Sequence, residues 1–165
     1  MVANHPSLLD VVMLISLIPN ADCIVNADLK HNILRWVVQQ LYILNTLEFD
    51  DILFSCTESL KQGNCLVIFP EGTRTPRTRR VILKKGAARI ALASGCGIIP
   101  VHISGTDKYG LGKNDPWHGF NPCERYVYRI SMGTEINPEK HLLLPGPGAA
   151  KSLTMEIRSV LFPEQ

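Results

Sequence analysis

The chain has 165 residues, 17 of them basic and 15 acidic, and its formal net charge is +2. This length predicts one domain over residues 1–165 with one sizeable core, and the near-neutral charge gives no reason to expect a nucleic acid as partner. No apolar run approaches the roughly 18 residues that span a bilayer. The cysteines are too widely spaced for a zinc knuckle or a disulfide framework and favour a reducing, cytoplasmic compartment. They are Cys23, Cys56, Cys65, Cys96 and Cys123.

The first part of the chain predicts three helices and one short strand. The segment from Leu8 to Ile18 is apolar on every side, so a helix there must be covered all round or rest on lipid. A short strand is expected at Asp22 to Val25. The segments 29–41 and 49–60 both carry apolar residues at amphipathic helix spacing, and Gly63 supplies a stop for the second.

The second part alternates strand and helix. The apolar run 65–69 predicts an interior parallel strand, 85–94 a helix with a small-residue face, and 98–103 a second interior strand. The proline- and glycine-rich segment 142–148 is expected to be a loop before a last helix. This alternation predicts an α/β fold with a mixed, largely parallel sheet flanked by helices. Ligands of such sheets gather at the carboxyl ends of strands, where FPEGTR (69–74) lies.

The stretch HPSLLD (5–10) admits two interpretations. A histidine is largely neutral at pH 7 and can accept a proton from a hydroxyl, and a carboxylate on its other ring nitrogen fixes the tautomer. A turn at Pro6 and Ser7 would bring Asp10 beside His5 for this purpose. Alternatively, Ser7 and Asp10 form a capping box at the start of the following helix.

The stretch FPEGTR also admits two interpretations. Gly72 lets the backbone approach a ligand closely, and the guanidinium of Arg74 matches phosphate oxygens, while Glu71 accepts a substrate hydroxyl. Alternatively, Glu71 and Arg74 pair with each other and Gly72 only makes the turn.

Three stretches together resemble one protein family. NHPSLLD (4–10) resembles the Asn-His-(four residues)-Asp motif, HX4D, of the glycerophosphate and lysophospholipid acyltransferases, and FPEGTR is similar to the third motif of that family. KKGAARIALASGCGIIPVHISG (84–105) resembles its glycine-alanine helix and its fourth motif, where Pro100 falls. The order and separation of the motifs agree with the family from residue 4 to 105.

The resemblance implies a reaction and a set of roles. The reaction is the transfer of a fatty acyl group from acyl-CoA or acyl-carrier protein to a hydroxyl of a lysophospholipid or related lysolipid. His5 would be the general base and Asp10 its orienter. The resemblance implies no metal, no tightly bound cofactor and no covalent acyl-enzyme. The residues that would bind the phosphate and glycerol part of the acceptor are Glu71, Gly72, Thr73 and Arg74.

The chain departs from the family in two places. The second motif of the family usually carries an arginine that helps to hold phosphate, whereas the stretch 41–51 offers Asn45 and Thr46. Either the acceptor is not a phosphate or other cations replace that arginine. In addition, only three residues precede Asn4 where the family normally has a strand and often membrane-binding helices, which predicts a trimmed or misassigned start. The candidate accessory phosphate or donor contacts are Lys30, Arg77, Arg79 and Lys84.

A basic run between residues 74 and 89 contains neither an acidic nor an aromatic residue. The lack of aromatic residues argues against stacking of single-stranded nucleic acid. The run is either a solvated loop or a contact with anionic lipid head groups. With the apolar segment 8–18, the second interpretation predicts a peripheral protein on the cytoplasmic face of a membrane.

Two other functions fit the same residues. The first is a non-catalytic relative that binds lipid or acyl carrier, and the second is a thioester hydrolase that uses the same base on water. The remaining histidines have no metal-ligand spacing and are expected to be structural or solvated. They are His31, His102, His118 and His141.

Overall fold

The computed structural model of the protein describes residues 1–25, 42–44, 48–77, 80–116, 119, 123–143 and 147–163. The predicted helix over 29–41 lies outside these residues. Within them, no helix is both long and apolar enough to cross a bilayer. The elements in chain order are β1 (Val2–Ala3), α1 (Asp10–Leu17), β2 (Ala21–Val25), β3 (Tyr42–Leu44), α2 (Phe49–Lys61), β4 (Cys65–Val67), α3 (Gly86–Ser94), β5 (Pro100–Gly105), β6 (Tyr128–Met132), a 3-10 helix (Pro138–His141) and α4 (Pro147–Leu161).

The strands form two three-stranded sheets that join at one bridge. β3, β2 and β4 are parallel neighbours, and β1 lies parallel to β5, whose other neighbour, β6, is antiparallel. A parallel bridge between Val2 and Ile68 connects them, with Ala3 N donating to Ile68 O at 3.0 Å. The strand order is therefore β3-β2-β4-β1-β5-β6, and the predicted mixed, largely parallel sheet is confirmed.

The helix boundaries agree with the sequence signals within a few residues. α2 runs from Phe49 to Lys61, and Gly63 beyond it has a φ of +85°. α3 ends at Gly95, whose φ of +70° is the left-handed conformation that glycine adopts without strain. α1 begins at Asp10 rather than at Leu8, because Asp10 is bonded to the preceding turn.

The core has a layer on each face of the sheet. Successive residues of a strand point to opposite faces, and Val2 accordingly packs in the cluster that contains α3 and α4, whereas Ala3 packs in the cluster that contains Leu14 of α1. The small residues of α3 serve the predicted close packing, since Ala87, Ala88 and Ala91 are buried there. The sheet is thus covered by α1 on one side and by α3 and α4 on the other.

Two histidines fasten the last helix to the rest of the fold. His141 lies between Ser152 and Glu156 of α4, with Nδ1 3.0 Å from the serine oxygen and Nε2 2.6 Å from a carboxylate oxygen. Nδ1 of His102 lies 3.2 Å from the carbonyl oxygen of Leu161. These contacts give both residues the structural role that the sequence predicted, while His31 and His118 lie outside the described residues.

The side chain of Asn4 continues the sheet after β1 has ended. Its Nδ2 donates to the carbonyl oxygen of Ile103 at 2.8 Å, and its Oδ1 accepts from the Ile103 amide at 2.6 Å. The side-chain amide therefore takes the place of a backbone peptide beside β5. Because the side chain of Asn4 makes these hydrogen bonds, the main chain can turn away from the sheet at His5.

We expect Asn4→Ala to lower the free energy of unfolding by about 2–4 kcal/mol, because it leaves a buried N–H and a buried C=O of Ile103 without partners. Urea denaturation followed by circular dichroism measures the change. Gln62→Ala, which removes an exposed amide after α2, is the control and should change stability little. Equal stability of the two variants would contradict the role given to Asn4.

Candidate active site

The turn after β1 brings His5 and Asp10 together. Nδ1 of His5 lies 3.0 Å from Oδ2 of Asp10, whose side chain is fully buried, while 15% of the His5 side chain is exposed. A carboxylate only accepts hydrogen bonds, so Nδ1 carries the hydrogen in this pair. The neutral ring then has its acceptor lone pair on Nε2, as a general base requires.

Ser7 holds the same carboxylate from the other side. Its backbone N–H donates to Oδ2 of Asp10 at 2.7 Å, and its hydroxyl donates to Oδ1 at 2.6 Å. The N-cap residue of α1 is Leu9, with no side-chain cap, although its amide lies 3.3 Å from Ser7 Oγ. The two interpretations of HPSLLD are therefore not exclusive, since Asp10 both satisfies the turn and contacts His5.

The turn after β4 lies directly against His5. The ring of Phe69 stacks on the imidazole with centroids 4.3 Å apart. Oε1 of Glu71 accepts from the His5 amide at 3.0 Å and from the Thr75 hydroxyl at 2.7 Å. Thr75 N in turn donates to the His5 carbonyl at 2.6 Å. Residues 5 and 69–75 thus form one unit.

Glu71 is a buried carboxyl with one oxygen unused. Within the described residues, its Oε2 is buried and has no hydrogen-bond partner. Burial raises the pKa of this carboxyl above its usual value, while the bonds from Thr75 and from the backbone of His5 act in the opposite direction. Glu71 is therefore easier to protonate than an exposed glutamate.

The predicted alternative that Glu71 pairs with Arg74 is wrong. Nη1 of Arg74 instead donates to the carbonyl oxygens of Leu111, at 3.0 Å, and Gly112, at 2.6 Å. Arg74 points to the segment after β5 because those carbonyls lie within its reach, whereas Glu71 points to the backbone of His5. The two side chains of FPEGTR consequently connect the turn to two different parts of the chain.

Lys84 lies against the glycine of this turn. Gly72 has a φ of +65°, and a Cβ at this position would come within 2.8 Å of Nζ and Cε of Lys84. Glycine therefore provides both the turn geometry and the space for the lysine. Thr73, next in the chain, is exposed.

Arg77 is held by two aspartates of the segment that follows β5. Its guanidinium bonds to Asp107 at 2.8 Å and to both carboxylate oxygens of Asp115. The Arg77 guanidinium holds the pKa of Asp115 below its usual value. Lys30, Arg79, Asn45 and Thr46 lie outside the described residues, so the predicted contacts of Lys30 and Arg79 remain predictions.

Sequence reasoning missed two side chains that reach the site from beyond β5. The Tyr128 hydroxyl lies 2.8 Å from Ser7 Oγ, and the Lys108 ammonium lies 4.7 Å from the centre of the Tyr128 ring. Lys108 is only 5% exposed and lines a cavity of about 160 Å³ next to Pro6 and Thr75. Alternation in YRISM (128–132) signals a strand and hence a partner for the sheet, but no local pattern marks Lys108.

Comparison with known proteins shows which family the chain resembles. A family model described as "Acyltransferase" matches residues 1–104. A chloroplastic 1-acyl-sn-glycerol-3-phosphate acyltransferase of Arabidopsis thaliana is 33% identical over 113 residues, which are 65% of this chain and 32% of that protein. The 1-acyl-sn-glycerol-3-phosphate acyltransferase of Saccharomyces cerevisiae is 33% identical over 127 residues, covering 67% of this chain and 42% of that protein.

A solved structure has the same fold. The crystal structure of the 1-acyl-sn-glycerophosphate (LPA) acyltransferase, PlsC, of Thermotoga maritima matches with a TM-score of 0.72 and 24% identity, covering 96% of this chain and 63% of that one. The chain spans only about a third to two fifths of the length of the curated relatives named above. The family model covers well over half of this chain, and the chain therefore belongs to the acyltransferase family.

Proposed function

We propose that the protein transfers an acyl group from a thioester of coenzyme A or acyl-carrier protein to a hydroxyl of a lysophospholipid of the 1-acylglycerol-3-phosphate class. The observation that carries this proposal is the His5–Asp10 pair, 3.0 Å apart, beside the turn of Glu71. The activity named for the relatives of this chain supports the same reaction.

The proposed chemistry uses His5 as the base. Nε2 takes the proton of the acceptor hydroxyl as its oxygen attacks the thioester carbonyl carbon. The C–S bond then breaks, and the imidazolium returns its proton to the leaving sulfur. Asp10 holds Nδ1 throughout and stabilises the transient positive charge of the ring.

The turn at residues 71–74 is proposed to hold the acceptor. The unused Oε2 of Glu71 suits a hydroxyl of the glycerol part. Lys84 beside Gly72, together with the remaining nitrogen atoms of Arg74, suits the phosphate. Lys84 would thus supply the positive charge of the arginine that the sequence of the second motif lacks.

The exposed side of α1 is proposed to contact the membrane that contains the acceptor. Val12 and Leu17 of this helix are 50% and 65% exposed, although Leu14 is buried. Exposed apolar side chains on one helix suit contact with a lipid surface. The wide spacing of the cysteines in the sequence, which suits no disulfide framework, and the basic residues around Lys85 favour the cytoplasmic face.

His5→Ala is expected to lower the rate of acyl transfer by roughly 10²- to 10⁴-fold, the usual contribution of a general base. The measurement is thiol release from a labelled acyl thioester with a panel of lysolipids, with and without phosphate. His102→Asn, outside the site, is the control. Full activity of His5→Ala would reject the base, and thiol release that does not depend on an acceptor would favour hydrolysis.

Lys84→Ala is expected to raise the KM for a phosphate-bearing acceptor by about tenfold, because a charge-assisted hydrogen bond is lost. The KM for a phosphate-free acceptor should stay unchanged. Lys85→Ala is a matched control, since its side chain is also exposed and it is the neighbouring residue. The same KM change in both variants, or on both acceptors, would contradict a phosphate contact at Lys84.

The double substitution Val12→Ser with Leu17→Ser is expected to reduce flotation with liposomes that contain anionic lipid, because it removes exposed apolar surface from α1. Thiol release with a water-soluble, short-chain acceptor should change little. The control is Met155→Ser on α4, where the methionine is 62% exposed. Equal flotation of wild type and the double variant would remove α1 from the contact.

A further inference from the structure

A chain of hydroxyl groups connects β6 to the buried carboxylate. The Ser7 hydroxyl has a single hydrogen, and the neighbouring carboxylate oxygen of Asp10, 2.6 Å away, can only accept it. Ser7 Oγ must therefore accept at its remaining contacts, from the Leu9 amide at 3.3 Å and from the Tyr128 hydroxyl at 2.8 Å. The direction of the chain is fixed: Tyr128 donates to Ser7, and Ser7 donates to Asp10.

Lys108 adds a buried positive charge to this chain. Its ammonium donates to the carbonyl oxygen of Thr106 and lies over the ring of Tyr128. No carboxylate within salt-bridge distance of it is found among the described residues. Burial lowers the pKa of Lys108, whereas the charges of Asp10 and Asp107 act against that change. The Lys108 ammonium thus lies over the ring whose hydroxyl bonds to Ser7, and it lines the same cavity as Pro6 and Thr75, which lie next to His5 in the chain and in the structure, respectively.

We propose that Tyr128 and Lys108 are positioning residues for the reaction: Tyr128 holds Ser7 and Asp10 in place, and Lys108 keeps the His5 ring neutral. This proposal rests on the role of His5 as the base under the proposed function. Neither residue contacts the reacting atoms, and both lie beyond residue 104, where the family match ends.

Under this proposal, a cation near His5 is needed to offset the effect of the carboxyl groups that face its ring. Two carboxyl groups face the ring from different elements, Asp10 from α1 and Glu71 from the turn after β4. Negative charge near an imidazole favours its protonated form, which cannot act as a base. Lys108, after β5, opposes this effect. Tyr128 of β6 carries no charge at neutral pH, as is usual for a tyrosine, and burial raises its pKa further.

The first test replaces Lys108 by methionine, which keeps the length of the side chain and removes the charge. The pKa of His5, measured by NMR titration of its ring, should rise by roughly 0.5–1 unit, because the loss of a positive charge from the cavity beside Pro6 and Thr75 favours the imidazolium. The acid limb of kcat/KM should move to higher pH by the same amount, while activity at high pH is retained. Lys108→Arg should restore the wild-type profile.

The matched control is Lys113→Met, which removes an exposed lysine from the same segment. The proposal predicts no movement of the His5 pKa in this variant. Equal titration curves for Lys108→Met, Lys113→Met and wild type would overturn the role of Lys108. Because the NMR titration requires no turnover, it decides this point even if the protein shows no acyl transfer, an outcome that would instead reject the proposed function.

The second test is Tyr128→Phe, which removes only the hydroxyl and keeps a ring beneath Lys108. The kcat should fall about 2- to 10-fold, the contribution of one hydrogen bond, and the KM of the acceptor should stay unchanged. Tyr126→Phe is the control, since the hydroxyl of Tyr126 donates to the carbonyl of Tyr109 outside this chain of contacts. Equal kcat values for the two variants, or an effect confined to KM, would overturn the role of Tyr128.

Discussion

The burial of the Asp10 carboxylate is the constraint on which the rest of the site depends. An ionised carboxylate without partners inside a protein is far too unfavourable for a domain of ordinary stability. Three donors remove this penalty, and all three belong to His5 and Ser7. The main chain after β1 must therefore curl back over the start of α1. The same hydrogen bonds that make the burial tolerable also orient the imidazole.

Glu71 is a second buried carboxyl, and it differs from Asp10 in the number of its oxygens that accept hydrogen bonds. Both oxygens of Asp10 accept hydrogen bonds, whereas only Oε1 of Glu71 does so within the described residues. Burial raises the pKa of Glu71, so a proton binds to this carboxyl more readily than to an exposed glutamate. Both oxygens of Asp10 are thus engaged by His5 and Ser7, whereas Glu71 keeps one oxygen for a further partner.

The sequence predicted the parts of the fold and of the site that local patterns encode. Each of these patterns depends on residues that are close together in the chain. The structure contains α2 and the contact between His5 and Asp10 at the expected positions, and glycines follow α2 and α3. The alternative that paired Arg74 with Glu71 was wrong, because the competing carbonyls of Leu111 and Gly112 lie far along the chain. Tyr128 was missed for the same reason: 121 positions separate it from Ser7.

The segment after β5 forms hydrogen bonds with the turn after β1 and with the turn after β4, although the family match ends before this segment. Leu111 contacts both turns, because its carbonyl oxygen accepts hydrogen bonds from the Leu8 amide, at 2.9 Å, and from the Arg74 guanidinium. Contacts through a backbone carbonyl tolerate a change of side chain, so position 111 is open to substitution. Gly112 is not, because a Cβ there would lie 2.7 Å from a carboxylate oxygen of Asp115.

This difference between backbone and side-chain contacts divides the segment into fixed and variable positions. Asp107 and Asp115 are fixed, since their carboxylates hold Arg77 and shape the loop. An exposed residue such as Lys113 is variable. Variation within 105–116 therefore alters the wall of the cavity beside Pro6 while the turn that holds His5 keeps its shape. Change in this wall of the cavity is in this way physically separable from change in the His5–Asp10 pair.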